Sequence, residues 1–151
     1  MRWVLVLIAL FAVLSTALFV ADTASSSPPV VSALAGSPGM TLSDYMLTVH
    51  GGPKGLHALI KEAVTGSGPA DDMAWKAVKA RAVTISYLAE QVLAKAKPEK
   101  GDAASWKAKV GEYQNALKAM TKAAEAKDAG AVNAGAGKVA KMCEACHKAH
   151  K

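Results

Sequence analysis

The sequence of 151 residues lacks many of the features on which common enzyme and scaffold classes depend. It has only two cysteines, and both phenylalanines lie within the first 20 residues. No segment shows the alternation of apolar and polar residues that is typical of a strand. There is also no Ser-His-Asp group, no phosphate-cradling glycine loop and no carboxylate pair aimed at a substrate. These absences argue against a sheet-containing fold and against an enzyme.

Both cysteines lie in one short motif, Cys143-x-x-Cys146-His147, within the last nine residues of the chain. Cys-x-x-Cys-His is the attachment pattern of a c-type haem. Two thiols three residues apart lie on one face of a helix, so both can bond to the vinyl groups of one porphyrin. The histidine that follows can supply an axial nitrogen to the iron. The motif predicts one covalently attached haem c, with Cys143 and Cys146 as thioether sites and His147 as the proximal ligand.

Three other interpretations of the motif compete with haem. A redox disulfide is disfavoured because no strand–helix alternation of the thioredoxin kind surrounds the cysteines. A structural disulfide would close a very small loop and stabilise little. Zinc could bind Cys143, Cys146, His147 and His150, but four ligands on two turns of one helix do not easily surround an ion tetrahedrally.

The beginning of the chain predicts export. Arg2 precedes an almost entirely apolar run over residues 3–20, as in a secretory signal. The run is also at the lower edge of the length that spans a membrane. We therefore expect residues 1–21 to be a signal peptide or an N-terminal anchor. The remainder is expected in the periplasm, either soluble or tethered through residues 3–20.

Composition divides the rest of the chain into a linker and one domain. Residues 22–40 are rich in Ser, Pro, Ala and Gly and predict a flexible linker. Residues 41–151 suffice for one small domain. The formal net charge is +6, yet there is no long basic run and little aromatic interleaving, so nucleic acid is not a predicted partner.

Four segments of this domain predict helices. The first starts at Thr41 or Ser43, and two glycines and a proline, Gly51-Gly52-Pro53, interrupt it. The other three cover about 71–95, 103–127 and 131–151. The third has apolar steps of 4, 3, 4, 3 and 4, as in an antiparallel bundle, at Trp106, Val110, Tyr113, Leu117, Met120 and Ala124. Short connections then predict an all-α, antiparallel, up-down-up-down four-helix bundle.

A four-helix pattern with Cys-x-x-Cys-His at the C-terminus resembles the cytochrome c′ family, including its Met-ligated low-spin relatives. The resemblance covers residues 41–151 and implies a cytochrome four-helix bundle with its haem near the last helix. The family often has an aromatic residue and an arginine shortly after the histidine. Here His150 and Lys151 follow instead, and the Gly-Gly-Pro break in the first helix is a second departure.

The resemblance also implies that the first helix crosses the far side of the haem. Met46 and His50 are the residues of that helix that bind iron well, four residues apart on one face. Met46 is the candidate distal ligand, and the two other interpretations are an open site and His50 as the alternative ligand. We expect Gly51 to leave His50 poorly held. His57 is expected to be partly exposed, and His150 to lie in solvent rather than against a propionate.

Two classes of function follow. With two axial ligands the protein is a small electron carrier that cycles between ferric and ferrous iron and meets a redox partner protein. With an open distal site it binds or senses a diatomic gas such as NO or CO. A haem-bearing structural subunit tethered to the membrane is a weaker alternative. The sequence leaves the oligomeric state open between monomer and homodimer.

Overall fold

The computed structural model describes residues 39–151, and in this range it contains five α-helices and no strand. The helices are α1 Leu42–His50, α2 Leu56–Ala63, α3 Asp72–Val92, α4 Ala103–Glu125 and α5 Ala129–His150. The all-α prediction is confirmed for these residues. The predicted signal or anchor over 1–21 and nearly all of the predicted linker lie outside them. No helix among residues 39–151 combines the length and apolarity needed to cross a membrane.

Polar side chains fix where four of the helices begin. Thr41 caps α1 and shares a capping box with Asp44, whose backbone N–H donates to the Thr41 hydroxyl at 3.1 Å. The carboxylates of three aspartates accept the equivalent N–H bond at the starts of α3, α4 and α5, namely Asp71, Asp102 and Asp128. Each cap satisfies a backbone donor that the first turn of a helix leaves unpaired.

The first predicted helix is two helices in the structure. α1 ends at His50, a single 3-10 turn follows over Gly52–Lys54, and α2 then starts at Leu56. Gly52 has a φ of +71°, which ordinary side chains rarely adopt. A Cβ on Gly51 would overlap the Leu47 carbonyl oxygen. The glycines therefore do more than kink the segment: they separate it into two.

The long helices carry most of the core. α4 packs against both α3 and α5, and α2 contacts α3 and α5 as well. All six residues of the predicted α4 stripe are buried. α5 contributes Val132, Ala136 and Val139, none of which has measurable exposure. At Gly135, a Cβ would lie 3.1 Å from that of Met120, so α5 approaches α4 closely at this level.

The loop between α3 and α4 holds the end of α5. The Lys100 N–H donates to the His150 carbonyl at 3.3 Å, and His150 Nδ1 lies 2.9 Å from the Lys100 carbonyl. Ser105 Oγ lies 3.3 Å from His150 Nε2, and Gly101, with a φ of +78°, passes directly beside the ring. We call Lys100, Gly101, Ser105 and His150 the C-terminal clasp. The prediction that His150 lies in solvent was wrong, because its side chain is 4% exposed.

Candidate functional site

The residues of the Cys-x-x-Cys-His motif border a cleft at the C-terminal half of α5. One cavity of about 30 Å³ lies among α1, α4 and α5. A second, of about 280 Å³, extends past the start of α1 and the α3–α4 loop. The two share four lining residues: Met46, Trp106, Cys146 and His147. We refer to both cavities together as the cleft.

The two thiols lie at the boundary between the core and the cleft. Cys143 and Cys146 are half-buried, unbonded to each other, and pack against the apolar core. Burial raises the pKa of the Cys143 thiol to about 11. Burial also raises the pKa of Cys146, while the positive charge of Lys109 acts in the opposite direction. Both side chains are therefore protonated thiols at neutral pH.

His147 is the exposed member of the motif. It lines both cavities, and its ring makes no hydrogen bond to another side chain or backbone group within residues 39–151. Both ring nitrogens are therefore free of protein partners in this part of the chain. An imidazole held by its helix but not by a hydrogen bond can act as a ligand to a group that enters the cleft.

Helix α1 borders the same cleft through Met46. This side chain is half-buried, packs against the core and lines both cavities. Tyr45 and Val49, its neighbours on α1, are completely buried and fix the helix against the body of the protein. The thioether of Met46 and the imidazole of His147 thus face one space from two different helices.

His50 occupies a buried polar network. Its Nε2 lies 2.9 Å from the Tyr113 hydroxyl, which in turn lies 2.6 Å from the Tyr45 hydroxyl. Cys143 Sγ lies 3.7 Å from the same nitrogen. Burial, reinforced by the neighbouring His57 and His147, lowers the pKa of His50 to about 4, so the ring is neutral at pH 7. The expectation that Gly51 leaves His50 poorly held was wrong, because α1 extends through His50 and Tyr113 holds the ring.

The other two histidines, His57 and His150, make contacts that connect separate segments of the fold. His57 is partly buried, as predicted, and its Nε2 lies 2.9 Å from the Ala136 carbonyl, which joins α2 to α5. His150 has both ring nitrogens engaged in the C-terminal clasp. Among residues 39–151 no three His, Cys, Asp or Glu side chains converge as metal ligands. The zinc alternative, which needs His150 beside both cysteines, finds no support in this arrangement.

One buried polar atom is left without a partner. The indole Nε1–H of Trp106 is inaccessible to solvent and makes no hydrogen bond within the described residues. Trp106 is 8% exposed and lines both cavities. A buried donor without an acceptor costs about 1–3 kcal/mol.

These groups fit a c-type haem. Two thiols at helical spacing, an unengaged imidazole and a thioether meet in one cleft, whose smaller cavity is almost entirely apolar. Binding a porphyrin there would need the cleft to widen beyond its present cavities of about 30 and 280 Å³.

The chain matches no protein-family model, no curated protein and no solved structure.

The sequence did not predict two features of the site. Tyr113 was expected to be an ordinary core aromatic, yet its hydroxyl connects Tyr45 to His50. Trp106 was expected only to pack, yet its buried indole N–H has no hydrogen-bond partner within the described residues. The signal available in the sequence was the polar atom that each of these buried aromatics carries, since such atoms normally need a partner.

Proposed function

We propose that this chain is an exported c-type haem protein of the cytochrome c′ kind that acts as a small electron carrier and not as an enzyme. One observation carries the proposal. Cys143, Cys146 and His147 on α5 line the same cleft as Met46 on α1. No other group of side chains in residues 39–151 combines two thiols with an imidazole.

Each residue has a distinct role in this proposal. Cys143 and Cys146 hold the cofactor covalently, and His147 binds its iron as the proximal ligand. Met46 supplies the sixth ligand. Haem c, when bound, contributes a one-electron couple between ferric and ferrous iron. The thioether favours ferrous iron, so Met46 sets a higher potential than a second imidazole would.

The finer architecture belongs to the same proposal. α1 and α2 together take the place of the first helix of an up-down-up-down four-helix bundle, and α3, α4 and α5 are its other three helices. The packing of α3 on α4, of α4 on α5, and of α2 on both α3 and α5 supports this arrangement. Met46 lies on α1, before the break between these two helices, and His57 lies on α2, after it.

The choice of Met46 over His50 as sixth ligand rests on their surroundings. Met46 lines both cavities and makes no polar contact within the described residues. His50 lines only the smaller cavity, and its Nε2 is already engaged by Tyr113. The side chain that is free to reach into the cleft is therefore the methionine.

Protein matured with the c-type machinery tests the first part of the proposal. It should gain the mass of one haem and keep its colour through acid–acetone extraction. The variant with both Cys143→Ala and Cys146→Ala should gain no haem mass and should lose its colour in the same extraction. A colourless wild type, or one carrying stoichiometric zinc, would refute the proposal.

A matched pair of variants tests the carrier function. Met46→Ala should convert a low-spin spectrum to high-spin, lower the potential and abolish the weak long-wavelength ferric band implied by the resemblance to Met-ligated cytochromes. His50→Ala, four residues away on α1, should leave the spectrum unchanged. A wild type that is high-spin and readily binds carbon monoxide would instead establish the gas-binding alternative.

A further inference from the structure

The Tyr113 side chain lies where α1, α4 and α5 meet. It is 6% exposed, and its hydroxyl contacts Tyr45 and His50 of α1. Cys143 Sγ of α5 lies 3.7 Å from the same nitrogen of His50, Nε2. Tyr113 therefore connects the helix that carries both candidate distal ligands to the centre of the core.

The hydrogen bond to Tyr113 occupies Nε2, one of the two ring nitrogens through which His50 could otherwise bind iron. In one neutral tautomer the hydroxyl donates to the Nε2 lone pair. In the other, Nε2–H donates to the hydroxyl oxygen and Nε2 has no free lone pair. Either arrangement removes Nε2 from competition, and no metal needs to be present for it to do so.

Met46 has no such restraint. The two side chains are four residues apart on one helix face, so a movement of α1 that brings one toward an iron in the cleft also brings the other. An unrestrained imidazole is a strong ligand for haem iron, so position alone does not exclude it. Something has to hold His50 back if the thioether is to bind.

We propose that Tyr113 is a positioning residue that reserves the sixth coordination position for Met46 by holding His50 in the buried network. The inference rests on the proposed function, since it presumes a haem iron in the cleft. It adds a residue from α4 to the determinants of ligand choice. Tyr113 itself does not touch the iron.

Tyr45 provides a matched control. Its hydroxyl bonds to Tyr113 and makes no hydrogen bond to His50, although the Tyr45 and His50 rings lie edge to face with centroids 6.3 Å apart. Tyr45→Phe and Tyr113→Phe each delete one buried hydroxyl and leave the ring volume unchanged. Only Tyr113→Phe deletes a hydroxyl that is bonded to His50 Nε2, whereas a general loosening of the core should affect both variants alike.

The test uses the full chain with haem attached, and its readouts are the long-wavelength ferric band and the reduction potential. Tyr113→Phe should lose most of the band, stay low-spin and have a lower potential. Tyr45→Phe should keep the wild-type band. Adding His50→Gln to Tyr113→Phe should restore the band, because the competing imidazole is gone. The double variant Tyr45→Phe/Tyr113→Phe, which leaves no hydroxyl unpaired, should behave as Tyr113→Phe does.

Several outcomes would overturn the inference while leaving the carrier function intact. They are a wild-type band in Tyr113→Phe, an equal loss in Tyr45→Phe, or no recovery on adding His50→Gln. A low-spin wild type without the band would also overturn it, since His50 would then already be the ligand. Failure of the proposed function is distinguishable, because the wild type itself would then lack haem or be high-spin.

Discussion

The C-terminal clasp offers the most direct test of the fold, through the substitution Gly101→Ala. Gly101 has a φ of +78°, and a Cβ there would lie 2.7 Å from His150 Nδ1 and 3.0 Å from the Ala149 carbonyl oxygen. These atoms belong to the end of α5, immediately after the haem motif. Gly66 provides a matched control, because its φ is +69° but a Cβ there would meet nothing within 4 Å.

The expected magnitudes follow from this difference. A left-handed backbone costs an ordinary residue about 1–2 kcal/mol, and this is the whole effect at Gly66→Ala. At Gly101 the new methyl group also displaces the His150 ring from the Lys100 carbonyl. Leaving a buried polar atom unpaired costs about 1–3 kcal/mol more. Gly101→Ala should therefore destabilise the protein by about 2–5 kcal/mol, against about 1–2 for the control.

Urea unfolding of both variants and the wild type measures the difference. Equal m-values would show that the change is in stability and not in the denatured state. In a His150→Ala background, most of the excess cost of Gly101→Ala should disappear, because the ring that the methyl group displaces is absent. Equal midpoints for Gly101→Ala and Gly66→Ala would refute the clasp as a stabilising contact.

Three further predictions concern the core and the site. If the wild type carries haem as proposed, protein with Cys143→Ala and Cys146→Ala should unfold at a lower temperature and less cooperatively by circular dichroism, because the porphyrin would supply part of the buried apolar surface. In that haem-free variant, the free energy of unfolding should fall as the pH drops from about 6.5 towards 4, because the unfolded chain protonates His50 while the folded one does not. Adding His50→Gln should remove most of this pH dependence, as measured by urea unfolding. Gly135→Leu should lower the thermal midpoint markedly, since the new side chain would be forced against Met120, whereas Gly137→Leu, where a Cβ meets no neighbour within 4 Å, should have little effect.

Local patterns predicted the long helices well. The α4 stripe was read from steps of three and four residues, and every member of it is buried. Asp71 was expected near the start of a helix and is its N-cap. Such features depend on neighbours within one or two turns, which the sequence shows directly.

Contacts between distant segments were not predictable in the same way. His150 is buried because a loop some 50 residues earlier in the chain offers it a carbonyl oxygen and a glycine beside which the ring fits. His50 is held because a tyrosine 63 residues later reaches it. Neither contact produces a periodic pattern in the sequence. For this reason His150 was predicted to lie in solvent and His50 to be poorly held. The distal ligand and the haem itself stay predictions that the experiments above decide.

The break after His50 has a consequence for the order in which the protein is assembled. α1 has nine residues, fewer than the roughly 12–15 below which an isolated helix is marginal in water, and it buries only Tyr45 and Val49. The three long helices can form a nucleus without it, because their mutual contacts do not include α1. The backbone amides of α1 should therefore exchange with solvent before those of α4. α1 would then be the last element to dock, closing over the cleft after a porphyrin has been joined to α5.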